Sequence, residues 1–100
     1  MEFEWDSQKA KRNVVKHGIT FEEASKLFQG RAEYVEIFDE SHSEDEDRFI
    51  AIGPIVKGIV VVVYIEKTWD LIRIISARKA TKKEIGLFSN FKRGISKWEN

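Results

Sequence analysis

From Ile59 to Ile65 the chain reads Ile-Val-Val-Val-Val-Tyr-Ile, seven apolar and mostly β-branched residues in a row. A run of that length without alternation predicts a central strand covered on both faces. It is far below the ~20 residues needed to span a bilayer. A strand buried on both sides needs partners at both edges and a layer on each face. The rest of the chain has to supply them.

Arg48-Phe49-Ile50-Ala51-Ile52 reads as one neighbouring strand, ended by Gly53-Pro54, and Leu71 to Arg78 as the other. Lys57-Gly58 is the expected tight turn into the central strand, and Lys67-Thr68-Trp69-Asp70 the connection out of it. Tyr34 to Phe38 is a further strand, and Phe3-Glu4-Trp5 an alternating fragment fit for a short edge strand. Two helices precede these strands. Asp6 is a good N-cap for Ser7–His17, with Gly18 as its stop. Thr20-Phe21-Glu22-Glu23 is a capping box that opens a second helix, ending near Gly30. A second box, Thr81-Lys82-Lys83-Glu84, opens a closing helix with Ile85, Phe88, Phe91, Ile95 and Trp98 as its apolar stripe. Short turns between strands imply antiparallel pairing. The expected fold class is therefore α+β: an antiparallel sheet of about four main strands, two N-terminal helices and one C-terminal helix.

One hundred residues with a single proline and 42% hydrophobic residues suit one domain, residues 1–100. The absence of cysteine excludes disulfides, thiolate zinc sites and a cysteine nucleophile. The opening Met1-Glu2-Phe3-Glu4-Trp5-Asp6 is acidic and has no apolar core of a signal peptide, so a cytoplasmic location and no membrane contact are expected. The net charge of zero conceals a segregation. Glu33 to Asp47 holds eight acids and no base, which leaves seventeen bases against nine acids elsewhere. A basic working surface and an acidic segment are the expected result.

No phosphate-loop, dinucleotide, metalloprotease or serine-hydrolase motif occurs. His42 lies beside acids, but Glu44-Asp45-Glu46-Asp47 lacks the glycine turn of a calcium loop and reads as a solvated segment; no metal or cofactor is expected. What remains is cationic. Lys9, Lys11, Arg12, Lys16 and His17 lie on or beside the first helix, and Arg48 starts a strand. Arg73 and Arg78, five apart, are expected on opposite faces of their strand, with Arg78 sharing the face of Ile72, Ile74 and Ser76. Arg78 and Lys79 stand before the Thr81 helix start, where free amides favour a phosphate. Each feature has a plainer explanation: an ion-paired Arg73, His17 as a cation on a helix C-terminus, and Trp5, Trp69 and Trp98 as packing anchors.

Three blocks, in order, carry a resemblance. They are Phe3-Glu4-Trp5-Asp6 with Lys9, Asn13, Lys16-His17-Gly18-Ile19 and Phe21-Glu22-Glu23-Ala24; then His42 to Gly53; then Ile72 to Glu84. Together they resemble the BrnT family of type II toxin–antitoxin systems. Gly53-Pro54-Ile55-Val56-Lys57 departs from the family's small polar turn. The resemblance implies a RelE-like fold, endoribonuclease activity, and a BrnA-type antitoxin that itself binds operator DNA, so that DNA is reached only through the antitoxin. It carries over to His17, Arg48, Arg78 and Lys79. RNA can be cut without metal by attack of its own 2′-OH, so His17 is the natural proton-transfer residue, with Glu66 a weaker candidate base. Arg48 and Arg78 would grip the phosphate, and Lys9, Lys16, Arg73, Lys79 and Thr81 would bind the RNA backbone. The alternative is a non-catalytic protein- or DNA-binding module of the same fold. As a helix-turn-helix, its recognition helix would begin with Glu22-Glu23, which oppose phosphate.

Overall fold

A computed structural model describes residues 1–42 and 46–94. The elements run β1 (Glu2–Glu4), α1 (Ser7–His17), α2 (Phe21–Gln29), β2 (Val35–Phe38), a 3₁₀ turn (Glu40–His42), β3 (Arg48–Ile55), β4 (Gly58–Thr68), β5 (Leu71–Lys79) and α3 (Lys82–Lys92). Ile95 and Trp98, placed on the last helix from sequence, and Glu44 and Asp45 of the acidic run lie outside the described residues.

The sheet has five strands in the order β1-β5-β4-β3-β2. It is mixed rather than antiparallel, because β1 joins β5 in parallel through Glu2↔Leu71 to Glu4↔Arg73. The α1–α2 hairpin between β1 and the later strands supplies the long connection that parallel pairing requires. The apolar run is the centre of the sheet, as expected, with Val60, Val61, Val62, Tyr64 and Ile65 buried. One face packs Val60, Val62, Tyr64, Ile72, Ile74 and Ala77 under Ile19, Phe21, Ala24 and Leu27. On the other, Phe88 of α3 covers Ile52 and Val61.

The caps fall where the sequence puts them. Asp6 accepts from the amides of Gln8 and Lys9, and both threonine boxes are closed reciprocally. Gly18 ends α1 at φ +71°, the left-handed conformation that glycine adopts without cost.

Gly53-Pro54 does not end a strand; β3 runs on to Ile55. β2 stops opposite Ile52. Pro54 therefore lies beyond the point where β2 asks for an N–H, and its missing donor breaks no ladder bond. Gly53 is a contact point: a Cβ there would stand 2.7 Å from both Leu27 Cδ1 and Tyr34 Cβ. The turn is Val56-Lys57, with Ile55 opposite Gly58. Lys57 Nζ donates to Gly18 O (2.8 Å) and ion-pairs with Glu23 (3.0 Å), fastening the hairpin to the α1–α2 connection.

The sheet edge on the α1 side is closed by one amide. β1 covers β5 only from Leu71 to Arg73. Beyond it, Ala77 N–H donates to Asn13 Oδ1 (3.1 Å), and Asn13 Nδ2 donates to Ala77 O (2.8 Å) and Ile19 O (2.9 Å). Asn13 is 6% exposed and stands in for a missing strand neighbour.

Asn13→Ala leaves three buried backbone groups without partners, at about 1–3 kcal/mol each. We expect a loss of at least about 3 kcal/mol, read as a melting temperature lower by roughly 12 °C or more. Gly53→Ala should cost about 1–3 kcal/mol by overpacking, measured as a lower urea midpoint with an unchanged slope.

Candidate functional site

The charged face of the sheet is set by a bulge. Val63 stands opposite Ser76 but Tyr64 opposite Ile74, so Ile75 is an extra residue in β5. A single inserted residue reverses the alternation beyond it. Arg73 faces Ile65 and Arg78 faces Val61, four residues apart on β4, so both arginines lie on the same face. This corrects the expectation from simple alternation: Arg78 shares its side with Ser76 and Arg73, whereas Ile72 and Ile74 turn into the helical core.

Arg48 also stands opposite Ile65. Arg48, Ile65 and Arg73 thus form one cross-strand row, with the arginine backbones about 9–10 Å apart on either side of Ile65. Glu4 extends the row through β1, and Arg73 Nη1 donates to Glu4 Oε2 at 2.9 Å. Arg78 lies ~13 Å further along the strands. Its two terminal nitrogens grip Glu84 Oε1 and Oε2, both at 2.7 Å, in a bidentate pair. Glu84 also accepts from the Thr81 amide (2.8 Å), so it caps α3 and holds Arg78 at once. The anion site expected at the Thr81 helix start is therefore occupied by the protein's own carboxylate. The Arg78 guanidinium, aided by the Thr81 bonds, holds the Glu84 carboxyl down at about 2.

The other expected residues lie elsewhere. Lys79 faces Val60 and so points to the helical side. The Lys57–Gly18 bond places the end of α1, with His17, at the β3–β4 hairpin. Seven strand residues, ~23 Å, separate that hairpin from the row of Arg48. Glu66 neighbours the row in sequence but points through to the helical side with Tyr64. There Tyr64, fully buried, donates its hydroxyl to Glu36 Oε2. Burial, and then the charge of Glu36, push the Glu66 carboxyl up. Burial and the hydrogen bond to Glu36 push Tyr64 up. Lys9 and Lys16 are exposed on α1 with Lys11 and Arg12, on a helix whose first turn carries no acid. Among the described residues, no group of three or more His, Cys, Asp or Glu side chains is placed to hold a metal. No described helix is long and apolar enough to cross a membrane.

The sequence profile of BrnT, the ribonuclease toxin of type II toxin–antitoxin systems, matches residues 5–84. The chain belongs to the BrnT family. The 1.1 Å crystal structure of the Brucella abortus ribonuclease toxin BrnT shares its fold, with a TM-score of 0.60 and 25% identity over 82% of this chain and 99% of that one. No curated protein sequence matches. An antitoxin partner and an RNA substrate follow from membership of this family. The match runs from just after β1 to the start of α3, and so includes Arg48, Arg73 and Arg78 but not Glu4.

Two features here escape a strand-by-strand reading. Asn13 is a polar residue on the buried side of α1, one turn from Lys9 and from His17; its place in the first block of the resemblance marked it, but nothing local announced its bonds to Ala77 and Ile19. The Glu4–Arg73 pair joins residues sixty-nine apart, and no local pattern announces it.

Glu84 lies well below its ordinary value of 4.5 when folded, so its contribution is complete above that pH and is lost as pH falls from 4.5 towards 2. Wild type and Glu84→Gln should differ most in urea midpoint at pH 7 and converge in acid.

Proposed function

We propose that this BrnT-family chain is a metal-independent endoribonuclease of RelE-like fold, acting in the cytoplasm to arrest growth, with the Arg48–Ile65–Arg73 row as its phosphate grip. The observation that carries this is the register: two arginines flank one apolar residue in a single row of the sheet. In the reaction the RNA 2′-oxygen bonds to phosphorus and loses its proton. The P–O5′ bond breaks, and the 5′-oxygen takes up a proton. The products are a 2′,3′-cyclic phosphate and a 5′-hydroxyl. Negative charge builds on the non-bridging oxygens, where two arginines stabilise it most. Glu4 holds Arg73 in place from β1. Arg78 lies further along the same face for a neighbouring phosphate, while Lys9, Lys16 and Lys79, on the helical side of the sheet, add only to the general attraction for a polyanion. His17 and Glu66 lie across the sheet from the row, so charge stabilisation rather than their proton transfer is the basis of the proposal. A BrnA-type antitoxin neutralises the chain and alone contacts operator DNA.

A second possibility, a non-catalytic module, draws on one observation: Arg73 and Arg78 each already hold a carboxylate. Purified protein should cleave single-stranded RNA in excess EDTA and leave cyclic phosphate ends. Arg48→Ala and Arg73→Ala should each slow cleavage by about 10²–10³-fold without altering the circular dichroism spectrum. Cleavage abolished by chelation rejects the metal-independent mechanism. Unchanged rates in both variants remove the row from the site.

A further inference from the structure

The two edges of the sheet are treated differently. On the α1 side, β1 is three residues long with two glutamates, and Asn13 occupies the edge of β5 beyond it. Short, charged and covered edges resist further pairing. On the other side, β2 is also short, at four residues, and carries Glu36, but it has neither proline, lysine nor bulge, and no described strand pairs with its outer side.

Asp39 N–H donates to Arg48 O at 2.8 Å, continuing the β2–β3 register. Val35, Ile37 and Asp39 therefore turn their backbone groups inward to β3, while Glu36 and Phe38 turn theirs outward. The apolar rows on both faces also stop at this edge. Ile37 continues Ile50 and Val63 on the arginine face and is 37% exposed; Phe38 continues Phe49 and Tyr64 on the helical face and is 44% exposed. Phe38 meets Phe49 edge-on at 5.6 Å, and nothing among the described residues covers its outer side. One more strand would complete both rows.

Charge chooses the occupant. Glu33, Glu36, Asp39 and Glu40 lie along or beside β2, with no base from Ala32 to Asp47. A second copy would set these acids against themselves, and a nucleic acid would be repelled. We propose that the open edge of β2 receives an extended, basic segment of the cognate antitoxin as a sixth strand, held by the outward backbone groups of Glu36 and Phe38 and by contacts with Ile37 and Phe38. This rests on the chain being the toxin of such a pair. It puts the docking strand beside the arginine face, from which the rest of the antitoxin can reach the row.

The experiment compares the free chain with its complex with the full-length cognate antitoxin, by amide-resolved hydrogen exchange. The Glu36 and Phe38 amides should slow by about 10²-fold or more in the complex. Phe38→Pro deletes an outward donor without breaking the β3 ladder, and Glu33→Lys reverses a charge beside β2 at an exposed position. Each should weaken antitoxin binding by about tenfold or more while ribonuclease activity of the free chain is unchanged. A complex in which both amides exchange as in the free chain overturns the proposal, as does wild-type affinity in both variants, or no complex at all. Edge protection in a chain that does not cleave RNA would sink the ribonuclease proposal and leave the docking strand standing.

Discussion

The structure depends on how β5 is finished on its outer side. Nine residues of β5 present a ladder edge, and β1 covers only three of them. Left bare, that edge would expose backbone groups in the middle of the molecule and leave α1 without a fixed seat. Asn13 resolves both, because a side-chain amide has the same donor and acceptor as a peptide group and can pair with Ala77 as a strand would. Its second donated bond, to Ile19 O, ties the α1–α2 connection to the same point. Lys57 then fastens that connection to the β3–β4 hairpin. The helix pair is held less by an apolar stripe on α1, whose Val14 and Val15 are exposed, than by these polar contacts at defined positions.

Local chemistry was legible in the sequence, and long-range pairing was not. Asp6, Thr20 and Thr81 mark helix starts through bonds that span two or three residues, so the string of letters contains both partners. The apolar run marks the central strand for a similar reason: burial on both faces leaves no polar position. Pro54 misleads because its compatibility with β3 depends on where β2 ends, a fact about another segment. Ile75 misleads more consequentially. Its bulge is a property of the pairing with Val63 and Tyr64, and a strict two-residue period sends Arg73 and Arg78 to opposite faces. The candidate site was legible as a set of cations; its geometry was not, since one inserted residue decides which side they share.

The arginines of that face are not bare charges. Glu4 holds Arg73, and Glu84 holds Arg78. The Glu4–Arg73 pair is a single, partly exposed contact, and such ion pairs are worth about 0–1 kcal/mol. Two guanidinium groups around a phosphate in a partly desolvated row offer more than that. The carboxylates therefore set side-chain direction without preventing an anion from taking over. Arg78 differs in degree. Glu84 is also the cap of α3, so releasing Arg78 loosens the helix start as well. By this reasoning Arg73 is a readier grip than Arg78, which is first a latch between β5 and α3.

A formally neutral chain that must attract a polyanion has to separate its charges, and the topology shows how. The acids between Glu33 and Asp47 cluster on and after β2, the outermost strand, while Arg48 opens β3 and Arg73 and Arg78 lie on β5. Asp39, which donates its N–H to Arg48 O, stands opposite Arg48, so that arginine lies one strand spacing, ~5 Å, from the rim acids, whereas Arg73 is three spacings, ~14 Å, away and beyond the ~8 Å screening length at physiological salt. Arg73 and Arg78 on β5 therefore act apart from the opposite sign that β2 presents at the sheet's rim. On the proposed reading, a substrate backbone is drawn to the centre and turned away from the edge. A cationic protein segment would meet the reverse preference, so each kind of ligand would be directed to its own part of one continuous sheet.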